Sequence, residues 1–193
     1  MTWYVVDGMD GCGKSTAGEI VAEELRSRGR RVMLVSHPNF DCVWGRIEDR
    51  FLHKDGKLAT LCTTVLYITD VVCSLFRCKR RRKEYDDLVF VRYIMAVCYL
   101  PEGVVKKGYR IISHVLPMPD VKMLIDVDAK TAMSRIEARS EDREAFEQED
   151  KLAAIRAKMH MLVDDGWDVV DNTKGLENTK SQIVEIINRE CSR

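Results

Sequence analysis

An excess of charge of either sign is missing from this chain, in which 31 lysines and arginines balance 31 aspartates and glutamates. Without a net field, nothing in the bulk composition favours nucleic acid or a membrane surface as partner. No apolar run reaches the length of a membrane span. The N-terminus has neither a basic segment nor a signal-like apolar core, so the expectation is a soluble, unexported, cytoplasmic protein. Only four prolines occur in 193 residues, with no repeat or low-complexity stretch, so nothing marks a linker and a single domain over 1–193 is expected. The four histidines (His37, His53, His114, His160) lack metal-ligand spacing. Seven cysteines are present, an odd number without a C-x-x-C pair, which suits reduced thiols better than a disulfide frame or a zinc site.

What is present is concentrated near the start. Gly8-Met9-Asp10-Gly11-Cys12-Gly13-Lys14-Ser15 has the spacing of a phosphate-binding loop: two glycines five apart, then lysine and a hydroxyl residue. The glycines let the backbone curl with its N–H groups inward, making an anion-binding concavity. Lys14 brings a point charge to the β- and γ-phosphates, and the Ser15 hydroxyl is a magnesium ligand. The context agrees. Thr2–Val6 reads as a buried strand entering the loop. Beyond it, Ala17, Ile20, Val21 and Leu25 recur at helical spacing, and Gly29 stands where a C-terminal cap belongs. Gly8 through Thr16 (Met9, Asp10, Gly11, Cys12, Gly13, Lys14 and Ser15 between them) are the candidate ATP contacts.

Short apolar runs at Val32–Val35, Leu88–Val91, Val121–Val127 and Trp167–Val170 read as further strands buried on both faces. Helical patterns fall at Val43–Leu52, Leu58–Phe76, Ile94–Leu100, Ala129–Ala138, Glu149–Val163 and Leu176–Asn188. The alternation predicts an α/β fold with a five-stranded parallel sheet and helices on both faces. Ligands of such sheets bind at the carboxyl ends of the strands, where the glycine loop, Ser36–Asn39, Arg92 and the segment after Val127 all lie.

With these features in place, the chain resembles the thymidylate kinase family of nucleoside monophosphate kinases. The resemblance rests on Val5–Thr16 with its acidic Asp10, on the turn Leu116-Pro117-Met118-Pro119-Asp120, and on Ala132, Arg135 and Ile136 in the following helix. It implies ATP and Mg²⁺ as cofactors, a homodimer, and an arginine-bearing lid at about 139–148. In this family an arginine comes from the loop or from the lid. The loop here offers Gly11 and Cys12, so Arg139 and Arg143 are the candidate catalytic arginines, with Arg135 behind them. On the acceptor side, Asp10 is expected at the sugar hydroxyl, Tyr67 stacked on the base, Arg92 on the phosphate and Tyr99 beside the sugar.

Several family contacts are altered. The family's Asp-Arg-Tyr reads Val91-Arg92-Tyr93, and Asp86 and Asp87 lie at the far end of that strand. The family's Ala-Asp-Arg reads Thr69-Asp70-Val71, and no arginine stands near Pro38, for which Arg46 is a candidate replacement. The expected function is transfer of the ATP γ-phosphoryl group to a nucleoside monophosphate, dTMP or a related acceptor, with dTMP disfavoured. The alternatives are a nucleotide-binding protein of this fold without the reaction, or a kinase for another small acceptor. Two side readings complete the expectation. Arg77–Lys83, six basic residues in seven, reads as cations at a helix C-terminus. Cys12, near Lys14 and a helix start, reads as a thiol of lowered pKa, reactive until ATP covers it.

Overall fold

The computed structural model describes residues 1–38, 57–138 and 148–192. Its order is β1 (Thr2–Asp7), α1 (Lys14–Ser27), β2 (Val32–Ser36), α2 (Lys57–Arg81), β3 (Asp87–Val91), a 3-10 helix (Ile94–Tyr99), α3 (Glu102–Val115), β4 (Val121–Asp126), α4 (Ala129–Ala138), α5 (Glu149–His160), β5 (Asp168–Asp171) and α6 (Leu176–Cys191). All strand pairs are parallel, in the order β2-β3-β1-β4-β5. Consecutive residues Tyr4, Val5 and Val6 of β1 are all buried although successive side chains point to opposite faces. The central strand is therefore covered on both sides, as its unbroken apolar run predicts. Helix α1 packs against β1, β2 and β3 and beside α6. It buries Ala17, Val21 and Leu25, and the chain leaves it through Gly29 at φ 78°. No described helix is long and apolar enough to cross a membrane.

The expected elements differ from the observed ones in four places. Ile94–Leu100 forms a 3-10 helix rather than an α-helix, because the segment closes against the site through bonds to Asp7 and Asp10. Helix α3 is absent from the sequence reading: Gly103 and Gly108 weaken its pattern, and only Val105 and Tyr109 are fully buried. The Glu149–Val163 pattern stops at His160 and continues as a short 3-10 turn, Val163–Asp165. Helix α2 runs on to Arg81, so Lys79, Arg80 and Arg81 of the basic run fall in its last turn, where the helix dipole favours cations. Val43–Leu52 lies outside the described residues.

Candidate active site

The strand order puts the sequence reversal at β1, and the crevice beyond its carboxyl end is where an open parallel sheet binds ligands. Gly8 to Gly13 span that point. Gly11 has φ 75°, and a β-carbon there would run into the Ala132 carbonyl of α4, so the position admits glycine alone. Gly13 precedes the first turn of α1, whose unpaired N–H groups face the loop. Ser15 and Thr16 are exposed in that turn, whereas Lys14 is buried. The Lys14 ammonium donates to the Met9 carbonyl at 3.0 Å and to Asp10 Oδ1 at 3.0 Å.

Asp10 collects the site. Arg92, just past β3, donates from Nη2 to the same Oδ1 at 2.6 Å, and the Tyr99 hydroxyl donates to Oδ2 at 2.6 Å. Burial alone would raise the Asp10 pKa. The charges of Arg92 and Lys14, with the hydrogen bonds from Tyr99 and Lys14, outweigh it and hold the carboxyl well below the usual range. Two cations from different connections thus share one buried carboxylate oxygen, and an incoming phosphate can compete for either. Tyr67 of α2 is tied to the same segment, its hydroxyl donating to the Tyr93 carbonyl and its ring edge-on to His37 at 6.3 Å. Lys14, Asp10, Arg92, Tyr99 and Tyr67 are therefore brought to one end of the sheet. Arg139, Arg143, Arg46 and Asn39 lie outside the described residues.

The positions that depart from the family pattern are core positions here. Val71 and Val91 are 1% and 2% exposed. Val91 packs against α1 so closely that a β-carbon at Gly18 would collide with its methyl group. Asp86 and Asp87 pair with Arg31 and Arg30 at the opposite end of the strands, far from the loop. The expectation for Cys12 is corrected. Its thiol is wholly buried, and burial pushes its pKa up despite the nearby Lys14, so it is no activated nucleophile.

Residues that the sequence does not point to first also reach the loop. Arg135 donates to the Asn172 carbonyl at 3.0 Å and lies 3.4 Å from the Cys12 carbonyl, so it borders the loop from α4. Asn172 donates to the Cys12 carbonyl at 2.7 Å and accepts from Thr179 at 2.8 Å, bracing the loop from the end of β5. Its place just after a strand at the ligand edge was the available signal. Asp126, at the end of β4, is gripped by Arg156 at 2.8 and 2.6 Å and by His160 at 3.1 Å.

His37 is 1% exposed, and burial lowers its pKa from 6.5 to about 4. The unfolded chain takes up this proton near pH 6.5 and the folded chain only near 4, so the unfolded state binds more protons between them. Stability should consequently rise with pH across that window, by up to about 1.4 kcal/mol per unit. Denaturation of wild type and His37→Phe at pH 5 and pH 7 checks this. The variant should show the smaller change, and equal changes would refute it.

Comparison with known proteins agrees with this geometry. The model of the thymidylate kinase family matches residues 6–183. A probable thymidylate kinase of Pyrobaculum aerophilum is 25% identical over 98% of this chain and 97% of its own length. A thymidylate kinase of Clavibacter sepedonicus is 28% identical over 86% of this chain and 87% of its own. The solved thymidylate kinase of Candida albicans superposes with a TM-score of 0.73 at 16% identity, covering 98% and 92% of the two chains, a likeness of fold. The phosphate loop, the parallel sheet around it and the match across 6–183 together place the chain in the thymidylate kinase family, as an ATP-dependent nucleotide kinase.

Proposed function

We propose that the chain transfers the γ-phosphoryl group of ATP to the phosphate of a nucleoside monophosphate, with dTMP among its acceptors. The observation that carries this reading is the convergence of Lys14 and Arg92 on one oxygen of Asp10. A cation from the loop and a cation from the end of β3 stand within reach of one point, as donor and acceptor phosphates must during in-line transfer. Lys14 and the loop amides hold the donor. Arg92 grips the acceptor phosphate, Tyr67 offers a ring to the base, and Asp10 with Tyr99 takes the sugar. The transition state is loosely bonded, so the protein contributes position and positive charge rather than a nucleophile.

Among the described residues no group of three or more His, Cys, Asp or Glu side chains forms a metal site. An exposed Ser15 hydroxyl at the loop mouth fits a Mg²⁺ ion held chiefly by phosphate oxygens and water. The ion would neutralise phosphate charge there. The relatives named as thymidylate kinases support dTMP as acceptor. A cytoplasmic location belongs to this reading and agrees with the free thiols among the described cysteines.

The experiment is a coupled ADP-release assay over a panel of nucleosides and nucleoside monophosphates, with wild type and an Arg139→Ala, Arg143→Ala double variant. Release should require a monophosphate acceptor. The double variant should bind ATP normally yet turn over more slowly, because these arginines act on transition-state charge. Acceptor-independent ADP release alone, or wild-type turnover by the double variant, would contradict the respective assignment.

The same reading includes a homodimer. Ile68 and Phe76 of α2 are 42% and 64% exposed, two turns apart on one helix, and a second copy would cover them. Sedimentation at micromolar concentration should give twice the chain's 22.2 kDa, and a monomer alone would remove the proposal.

A further inference from the structure

Arg92 is the one residue other than glycine with positive φ among the described residues, at 66°. A left-handed backbone is unfavourable for a residue with a side chain and persists where the surroundings impose it. Here they are specific. The Arg92 N–H donates to the Val6 carbonyl of β1 at 3.0 Å. Its carbonyl accepts from the His37 ring, Nδ1 at 3.0 Å. The next N–H, of Tyr93, donates to Asp7 Oδ2 at 2.9 Å, and the Met95 N–H reaches the same oxygen at 3.1 Å. His37 is itself fixed to β3 by its N–H on the Val91 carbonyl at 3.0 Å.

These contacts follow from strand order. β3 lies between β2 and β1, so the residue just after β2 (His37) and the last residue of β1 (Asp7) flank the residue just after β3. Both flanking side chains are buried, at 1% and 2% exposure. Asp7 is occupied by backbone donors, with Gly8 N–H on Oδ1 at 3.0 Å and the other two on Oδ2. Its work is directed at the chain rather than at a ligand.

We infer that Asp7 and His37 are positioning residues for the acceptor: from the two neighbouring strands they hold the Arg92 backbone left-handed, so that its guanidinium stands over Asp10. The inference rests on the reading of Arg92 as the acceptor-phosphate grip. Released from the clamp, residue 92 relaxes to a negative φ and its side chain swings off the site.

The test uses the full chain and the monophosphate that the acceptor panel ranks first. His37→Phe and Asp7→Asn are each expected to raise the acceptor KM by about three- to tenfold, the range for one lost hydrogen bond. The ATP Kd of His37→Phe should change less than twofold. In an Arg92→Ala background, His37→Phe should add no further rise in KM. An equal rise in both backgrounds, or an unchanged KM in folded His37→Phe protein, would overturn the proposal.

Failure of the underlying reading looks different, because Arg92→Ala would then leave the acceptor KM unchanged. The clamp is in that case judged on stability. Arg92→Gly should melt above Arg92→Ala, since glycine accepts φ 66° without strain, and the gap should narrow when Asp7→Asn is added. The absence of a gap, or one that Asp7→Asn leaves unchanged, would overturn it.

Discussion

Replacing Lys14 with alanine is expected to lower kcat by at least about 10²–10³ and to weaken ATP binding, the scale seen when a preorganised charge is removed from a developing anion. Lys14 is buried beside the loop and its ammonium already sits within 3.0 Å of the loop carbonyl of Met9. Among the described residues, the other cations near the loop come from outside it, Arg92 from the end of β3 and Arg135 from α4. The fold should survive the change, because Asp10 keeps its bonds from Arg92 and Tyr99. Calorimetry with ATP and coupled assays on the folded variant measure the effect. Wild-type affinity and turnover would remove the phosphate-loop assignment.

The second large effect concerns dTMP itself. Its kcat/KM should lie about two to four powers of ten below that of a site retaining the family's acid and arginine, since each lost charged contact costs about 1.5–3 kcal/mol. Val71 and Val91 are buried in the core and offer no polar group. Kinetics on dTMP beside the other nucleoside monophosphates provide the comparison. Equal efficiency would show that other residues restore the missing contacts.

The phosphate loop was readable because its chemistry is local. Glycine spacing, an apolar strand before it and a helical pattern after it all fall within the first thirty residues or so, and each has its observed counterpart in β1, the loop and α1. Arg92 and Tyr99 were reachable through resemblance, and the fold brings both to Asp10. His37 is legible only as part of Ser36–Asn39 at the ligand edge, and neither its role nor that of Asp7 as a backbone clamp is marked in the sequence. Their partners are backbone groups 86 and 55 residues away, which no side-chain pattern reports. Arg135 stands on the helix before the lid, where the sequence points first to Arg139 and Arg143. Its place at the loop depends on α4 crossing so tightly that the Ala132 carbonyl lies against Gly11. Helix α3 was missed for a different reason: its two glycines lower the helical signal, while burial of Val105 and Tyr109 supplies the stability that propensity lacks.

The position of β1 also has a consequence for the growing chain. β1 and the nucleotide loop come before the rest of this sheet in the chain, and the neighbours of β1 begin only at Asp87 and Val121. Until β3 is made the apolar run Trp3–Val6 lacks a strand to pair with, and until β4 emerges it remains a sheet edge. The order of translation is thus opposed to the order of pairing, and early fragments carry a sticky strand without its partners. A nascent chain cut before Val121 should seek other strands or chaperones.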